Sequence, residues 1–327
     1  MYSIYAFENL DGIASAAILI RWMRLSNHKY RINFINYKDS EIVFRDMCKQ
    51  VKSLIFILDF PPEHVQKLDE KLKLLTARHN KVIYWNSHLN IDDAKKSSIR
   101  QYSSFFDNQG NICSAEMACK KFLPNDKIAI ELKNIAHDLE FWKRQDERST
   151  KLSDLISSGY NLKDLTEELS KGIFWSDKFE SLHKAYVKKK QKAFKSLVES
   201  LKIHYHSPYN FGYGFASSLL STADAGQKLL ENNNLDVSII IYRDGKMSLR
   251  RNDGVNVDLA LIAKIFSGGG HSYAAGGRFT DVMMPIGSGN RFNIAVEKID
   301  KILREYFKAN KETQTKLSTL SAKFNGK

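Results

Sequence analysis

Apolar residues over the first 150 positions follow two alternating rhythms. Short continuous runs, IYAF, INFINY, LIFILDF and KVIYW, have the length and the β-branched or aromatic content of buried strands. Between them, stretches such as IASAAILIRWM, EHVQKLDEKLKLL and SAEMACKKFL repeat apolar side chains at three- and four-residue steps, the period of a helix with one buried face. This alternation predicts a parallel sheet wrapped by helices, a layout in which ligands collect at the carboxyl ends of the strands. Three polar turns fall on that edge: ENLDG after Phe7, DFPP after Leu58 and NSHLN after Trp85.

The pattern then changes. Residues 151–203 read as helical, and Phe179, Leu182, Tyr186, Phe194, Leu197 and Leu201 trace the apolar stripe of one long helix. From residue 204 a second unit opens with HYHSPYNFGYGF. It continues through VSIIIY and KMSLR, enters a helix at VDLALIAKIF and, after a glycine-rich segment, a further helix at FNIAVEKIDKILREYF. The expected organisation is an α/β parallel-sheet domain with flanking helices over 1–150, a helical connector over 151–203, a smaller C-terminal α/β substrate-binding domain over 204–307, and a basic flexible tail over 308–327. The tail has little apolar periodicity to hold it.

Composition narrows the class. The 327 residues are 43% hydrophobic and 27% charged, enough to bury a core and too apolar for a disordered chain. No apolar run approaches the roughly 20 residues needed to cross a bilayer, so no membrane partner is expected. Cys48, Cys113 and Cys119 form no CxxC pair, and with no charged leader ahead of YSIYAF the expected compartment is the cytoplasm. The net charge is +13. Much of it sits in two places: seven lysines against Glu199 over residues 183–202, and seven basic against two acidic side chains over 301–327. The lysines of the long helix, Lys188, Lys189 and Lys192 among them, are either the wetted face of an amphipathic helix or a surface for a polyanion.

The segment SGGGHSYAAGGRF places Gly268, Gly269, Gly270, Gly276 and Gly277 within ten residues. So many glycines cost chain entropy, and two reasons can justify them. One is tight packing between a helix and a strand. The other is a backbone N–H concavity for an anion, with His271 donating to the same group and Arg250, at the end of KMSLR, offering a planar fork to a phosphate.

The string KMSLRRNDGVNVDLALIAKIFSGGGHSYAAGG resembles the C-terminal substrate-binding domain of the DHH phosphoesterase superfamily, through its SLR strand, its IA helix and its GGGH loop followed by AAG. The resemblance extends at intervals over most of residues 1 to about 280. The superfamily includes RecJ-like exonucleases, phosphodiesterases of short oligonucleotides and cyclic dinucleotides, and the RecJ-like subunit of the archaeal and eukaryotic replicative helicase complex. Its active members hold two manganese ions with a His-x-Asp-x-Asp-Gly turn, an Asp after a later strand, an Asp-His-His turn and a final Asp. Such chemistry needs two cations about 3.5–4 Å apart to clamp the attacking and leaving oxygens.

Carried onto this chain, the resemblance implies an eroded site. The first turn reads Phe7-Glu8-Asn9-Leu10-Asp11-Gly12, so Phe7 stands for a histidine and Asn9 for a carboxylate. The triplet reads Asn86-Ser87-His88. Asp11, Asp59 and Asp138 remain as residual ligands, which leaves either no metal or one weakly held manganese or magnesium. Glu8 lies one residue out of phase with the ligand positions. Asp11 and Asp59 have a second reading as caps of the helices after their turns.

A substrate loop kept nearly letter for letter beside eroded hydrolytic turns implies binding without turnover. The function so implied is a catalytically inactive RecJ-like DNA replication protein that binds single-stranded DNA and partners GINS and the MCM helicase, in a compact archaeal form. Its phosphate-facing residues would be Arg250, Gly268, Gly269, Gly270, His271, Lys188, Lys189 and Lys192. The alternatives are a manganese-dependent single-strand exonuclease or short-oligonucleotide phosphodiesterase with an altered site, and a sensor that takes a cyclic dinucleotide on the glycine loop.

Overall fold

A computed structural model describes residues 1–87, 91–231, 234–279 and 289–324. Two compact units divide the chain, Met1–Tyr186 and Val187–Lys327.

The first unit alternates strand and helix: β1 (Tyr2–Phe7), α1 (Leu10–Leu25), β2 (Tyr30–Ile35), α2 (Ser40–Met47), β3 (Leu54–Leu58), α3 (Leu68–Ala77), β4 (Lys81–Trp85), α4 (Asp93–Tyr102) and β5 (Phe105–Asp107). The five strands are all parallel, in the order β2-β1-β3-β4-β5. Side chains alternate across the strands. Ile4, Ala6, Phe56, Leu58, Ile83 and Trp85 face one core with α1, while Tyr5, Ile55, Ile57, Val82 and Tyr84 face another with residues of α2 and α3. The helix α1 is apolar on nearly every side and is correspondingly enclosed. Its cover comes from α5 (Ser114–Phe122), α6 (Lys127–Glu140), α7 (Glu147–Ser157) and α8 (Leu162–Ser170). Leu152, Leu155, Leu165 and Leu169 of the last two helices are fully buried in the α1 core, so the first part of the expected connector belongs to the first unit.

The boundary between the units falls inside α9 (Asp177–Glu199). The second unit contains β6 (Lys202–His206), β7 (Tyr209–Ala216), α10 (Thr222–Leu230), β8 (Val237–Tyr242), β9 (Lys246–Arg251), α11 (Leu259–Ile265), β10 (Gly269–Gly270), β11 (Ala274–Arg278) and α12 (Gly289–Phe324). Its sheet runs β10-β11-β9-β8-β7-β6, mixed in direction because β7 and β8 are parallel and the other pairs antiparallel. Phe211, Tyr213, Ile239, Met247 and Leu249 turn towards residues of α11 and α12, and Ile240 and Tyr242 towards residues of α10 and Leu197 of α9.

The backbone of α12 stays helical through Phe324, well past residue 307. The segment after 307 is rich in Lys, which favours helix, and has no proline. Cys48, Cys113 and Cys119 are all buried free thiols. No helix among the described residues is long and apolar enough to cross a membrane.

Candidate functional site: an acid cluster at the switch point of the first sheet

The strand order turns back on itself between β1 and β3, the place where an open parallel sheet leaves a crevice at its carboxyl edge. Each neighbouring strand delivers one polar turn there: Asn9 and Asp11 after β1, Asp59 after β3, Asn86 and Ser87 after β4. Asp59 is fully buried and held in the left-handed region at φ 59°, with its N–H donating to the carbonyl of Trp85 at 2.8 Å. An Asp tolerates this conformation better than most residues, but it carries a cost that a well-determined surrounding must offset.

The carboxylates of Asp11, Asp59 and Glu140 converge, with one oxygen from each within 4.8 Å of the others. Hydrogen-bond donors surround them. The Asn9 amide donates to Asp59 Oδ2 at 2.6 Å, and the hydroxyls of Ser87 and Ser114 donate to Asp59 Oδ1 at 3.2 and 3.1 Å. Ser87 is also within 3.0 Å of Glu140 Oε1. Asp11 receives the N–H groups of Ser114 and Ala115 at 2.7 and 2.8 Å, so it caps α5 from across the fold. The helix after its own turn is capped instead by Asn9, whose Oδ1 accepts from Gly12 N at 2.8 Å. Burial, then the charges of Asp59 and Glu140, hold the Asp11 carboxyl well above the usual carboxylate range in spite of the two N–H groups that pull it down.

Asp138 is not in this cluster. Its carboxylate accepts from Gln145 N at 2.8 Å and from Ser149 Oγ at 2.6 Å, which ties the start of α7 to the end of α6. Two residues on a helix are separated by about 200° of rotation, so Asp138 and Glu140 leave α6 on opposite flanks and only one reaches the site. Glu140 therefore occupies the place expected of Asp138. Sequence reasoning missed both Glu140 and Ser114; the signal available for Glu140 was only that HDLEFW holds two acids two residues apart.

The other turn residues have separate surroundings. Phe7 packs against Tyr37 and Phe60 with ring centroids 5.0 and 5.5 Å apart, an apolar contact with no ligand atom. Glu8 accepts from Asn36 Nδ2 at 3.2 Å. Asn86 is fully buried and its carbonyl accepts from Asn108 Nδ2 at 3.0 Å, joining the end of β4 to the segment after β5. His88 lies outside the described residues. As a metal site, the three carboxylates supply hard oxygen donors with lone pairs to spare, and the raised Asp11 carboxyl marks negative charge that a cation would relieve. Asp11, Asp59 and Glu140 thus fit one divalent ion. Beside Asp59, the Asn9 amide is already engaged as a donor and Phe7 offers no ligand atom.

In the second unit, Arg250 pairs with Ala274, and Ala274 in turn exchanges backbone hydrogen bonds with His271 at 2.8 and 3.3 Å. The strand end and the glycine loop therefore share one edge of the sheet. Gly268 is needed for packing, since a Cβ there would lie 1.9 Å from the Gly276 carbonyl oxygen. Gly270 has φ 142° and presses on Ala275, whereas Gly269 faces open space. His271 is exposed and stacks on exposed Tyr273 at 5.4 Å and 6°. The Arg250 side chain crosses Gly226 of α10, and its Nε is buried without a hydrogen-bond partner among the described residues. Lys188, Lys189 and Lys192 are exposed on α9 and form no ion pair among the described residues, while Lys184, Lys190 and Lys195 pair with Glu180, Asp224 and Glu199.

The sequence matches no protein-family model and no curated protein. Solved structures do match. RecJ from Thermus thermophilus in complex with manganese is similar over 94% of this chain and 52% of that one, at 12% identity and a TM-score of 0.57. A second manganese-bound exonuclease RecJ aligns over 94% and 89%, again at 12% identity and 0.57. The pGpG-specific phosphodiesterase PggH from Vibrio cholerae aligns over 92% and 99%, at 12% identity and 0.51. With its parallel five-stranded sheet and second mixed sheet, the protein shares the fold of the solved RecJ structures.

Proposed function

We propose that this chain is a RecJ-fold protein that holds single-stranded nucleic acid without two-metal hydrolysis. The observation that carries the reading is the hydrogen bond from Asn9 Nδ2 to Asp59 Oδ2 at 2.6 Å. By resemblance, Asp59 is the carboxylate shared between two ions. Here an amide donor takes one of its oxygens and two hydroxyls take the other. Neutral donors supply part of the compensation that a second cation would give, and they cannot activate water as a metal does. Binding is assigned to the other half of the molecule: Arg250, the Gly268–Gly270 loop with His271 and Tyr273, and the three unpaired lysines of α9, which together offer positive charge and an aromatic face. The setting proposed for this activity is a replicative helicase complex with GINS and MCM as partners.

One divalent ion on Asp11, Asp59 and Glu140 favours a second reading, a metal-dependent exonuclease or short-oligonucleotide phosphodiesterase working with an altered site. Such an ion would supply Lewis-acid polarisation of a phosphoryl oxygen, and Asp11, Asp59 and Glu140 would be its holders. Incubating the purified chain with manganese and end-labelled single strands separates the two readings. Intact strands, retained by wild type and released by Arg250→Ala, are expected. Mononucleotides that disappear with Asp59→Ala would establish the enzyme instead. Co-purification with GINS and MCM from the native host tests the partner assignment on its own.

A further inference from the structure

Of the four tryptophans, Trp142 alone is exposed, at 64%; Trp22 and Trp175 are half-buried and Trp85 is fully buried. Its backbone is as unusual as its exposure. At the end of α6, Trp142 N–H donates to the Leu139 carbonyl at 3.1 Å and Lys143 N–H to the Asp138 carbonyl at 3.0 Å. That pattern puts Trp142 at the position just past the helix where a left-handed residue, usually glycine, reverses the chain. Trp142 has φ 55° and Arg144 φ 49°, two bulky residues in the left-handed region within three positions. Neither conformation nor packing calls for a tryptophan here. Trp142 belongs to no apolar cluster among the described residues, and the Arg144 guanidinium lies over its ring at 4.1 Å. Lys143 and Arg144 are exposed and form no ion pair among the described residues. Asp138 fixes the turn, its carboxylate accepting from Gln145 N at 2.8 Å and from Ser149 Oγ at 2.6 Å. Glu140, two residues before Trp142, carries one carboxylate of the acid cluster, and two residues of chain span at most about 7 Å. The turn therefore stands at the rim of that cluster.

We propose that the Trp142–Arg144 turn is a stacking platform for single-stranded nucleic acid. A base lies on the indole, and Lys143 and Arg144 meet the phosphates on either side of it. An indole face takes any base, and the two cations supply the charge that a phosphate needs beside carboxylates that repel it. An apolar ligand would cover the ring and leave both cations unused. Backbone strain of this kind collects at ligand clamps, and a ring fixed in place before binding loses little freedom when a base arrives. The inference rests on the reading of the protein as a single-strand binder and adds to it a base-stacking contact in the first unit.

Fluorescence anisotropy of the full chain with a labelled oligodeoxyadenylate, and with an abasic strand of equal length, tests this. Trp142→Gly accepts the positive φ and removes an exposed ring, so its melting temperature should stay close to wild type. Its affinity for oligodeoxyadenylate should fall about tenfold. The abasic strand has phosphates but nothing to stack, and its affinity should not change. Trp142→Tyr, which restores a flat ring, should recover most of the loss. Lys143→Ala should weaken both strands and flatten the slope of log affinity against log salt by about 0.7. Oligodeoxyadenylate should also quench tryptophan fluorescence in wild type and not in Trp142→Gly, although three tryptophans remain there. Equal oligodeoxyadenylate affinity in wild type and Trp142→Gly, with Arg250→Ala still weakening it, overturns the proposal and leaves the single-strand reading intact. An equal loss on the abasic strand overturns it too, because the contact is then not stacking. If wild type binds neither strand, both fall.

Discussion

Asp59 gathers three side-chain donors while sitting at φ 59°, and its neighbour Asp11 bears the electrostatic consequence. Because the folded Asp11 carboxyl titrates above its unfolded value, the folded state binds the extra proton. The stability this contributes is fully present below the unfolded pKa near 3.8 and is lost as pH rises through the folded value. Above that value, the ionised Asp11 carboxylate beside Asp59 and Glu140 works against folding. Glu140→Gln keeps an oxygen for the Ser87 hydroxyl and removes one charge. In chelator at pH 8 it should raise stability by on the order of 1 kcal/mol, the size of one pKa unit of relieved repulsion. The gain over wild type should shrink as the pH is lowered, because Asp11 then carries its proton in both proteins. Manganese should stabilise wild type and have little effect on the variant. Denaturant melts at pH 5 and pH 8, with and without manganese, check all three statements, and a gain that grows towards pH 5 would contradict them.

At the scale of elements, the glycine hairpin separates two reasons for the same residue type. The packing reason applies at Gly268, where a Cβ would collide with backbone rather than with a movable side chain. Gly268→Ala should therefore destabilise the β10–β11 edge by several kcal/mol, in the range of severe overpacking. At Gly269 there is open space and no left-handed constraint, so Gly269→Ala should melt within about 0.5 kcal/mol of wild type. Oligonucleotide affinity then measures what the position does. If its backbone approaches phosphate, the added methyl weakens binding without unfolding the hairpin, and unchanged affinity would leave Gly269 outside the binding surface. The same scale explains Asp138 and Glu140. Apolar periodicity places Leu139 towards the core and leaves an acid on each flank, so which acid enters the site depends on where α5 and α7 pack.

Across the whole molecule, the +13 charge has a local part that can be tested. Lys188, Lys189 and Lys192 are already solvated, so replacing all three by alanine should cost little stability. If they meet a strand, the slope of log affinity against log salt should flatten by about 0.7 per lost contact, close to 2 for the triple variant. An unchanged slope would return them to the role of a wetted helix face. What the sequence alone determined was the alternation of strands and helices and the three turns on one sheet edge, because element period and side-chain chemistry are local properties. The choice of Glu140 over Asp138, the donation from Ser114, the cap that Asp11 places on α5 and the division of the connector were decided only by tertiary structure. Each depends on helix rotation and on contacts between residues far apart in the chain, which no local pattern encodes.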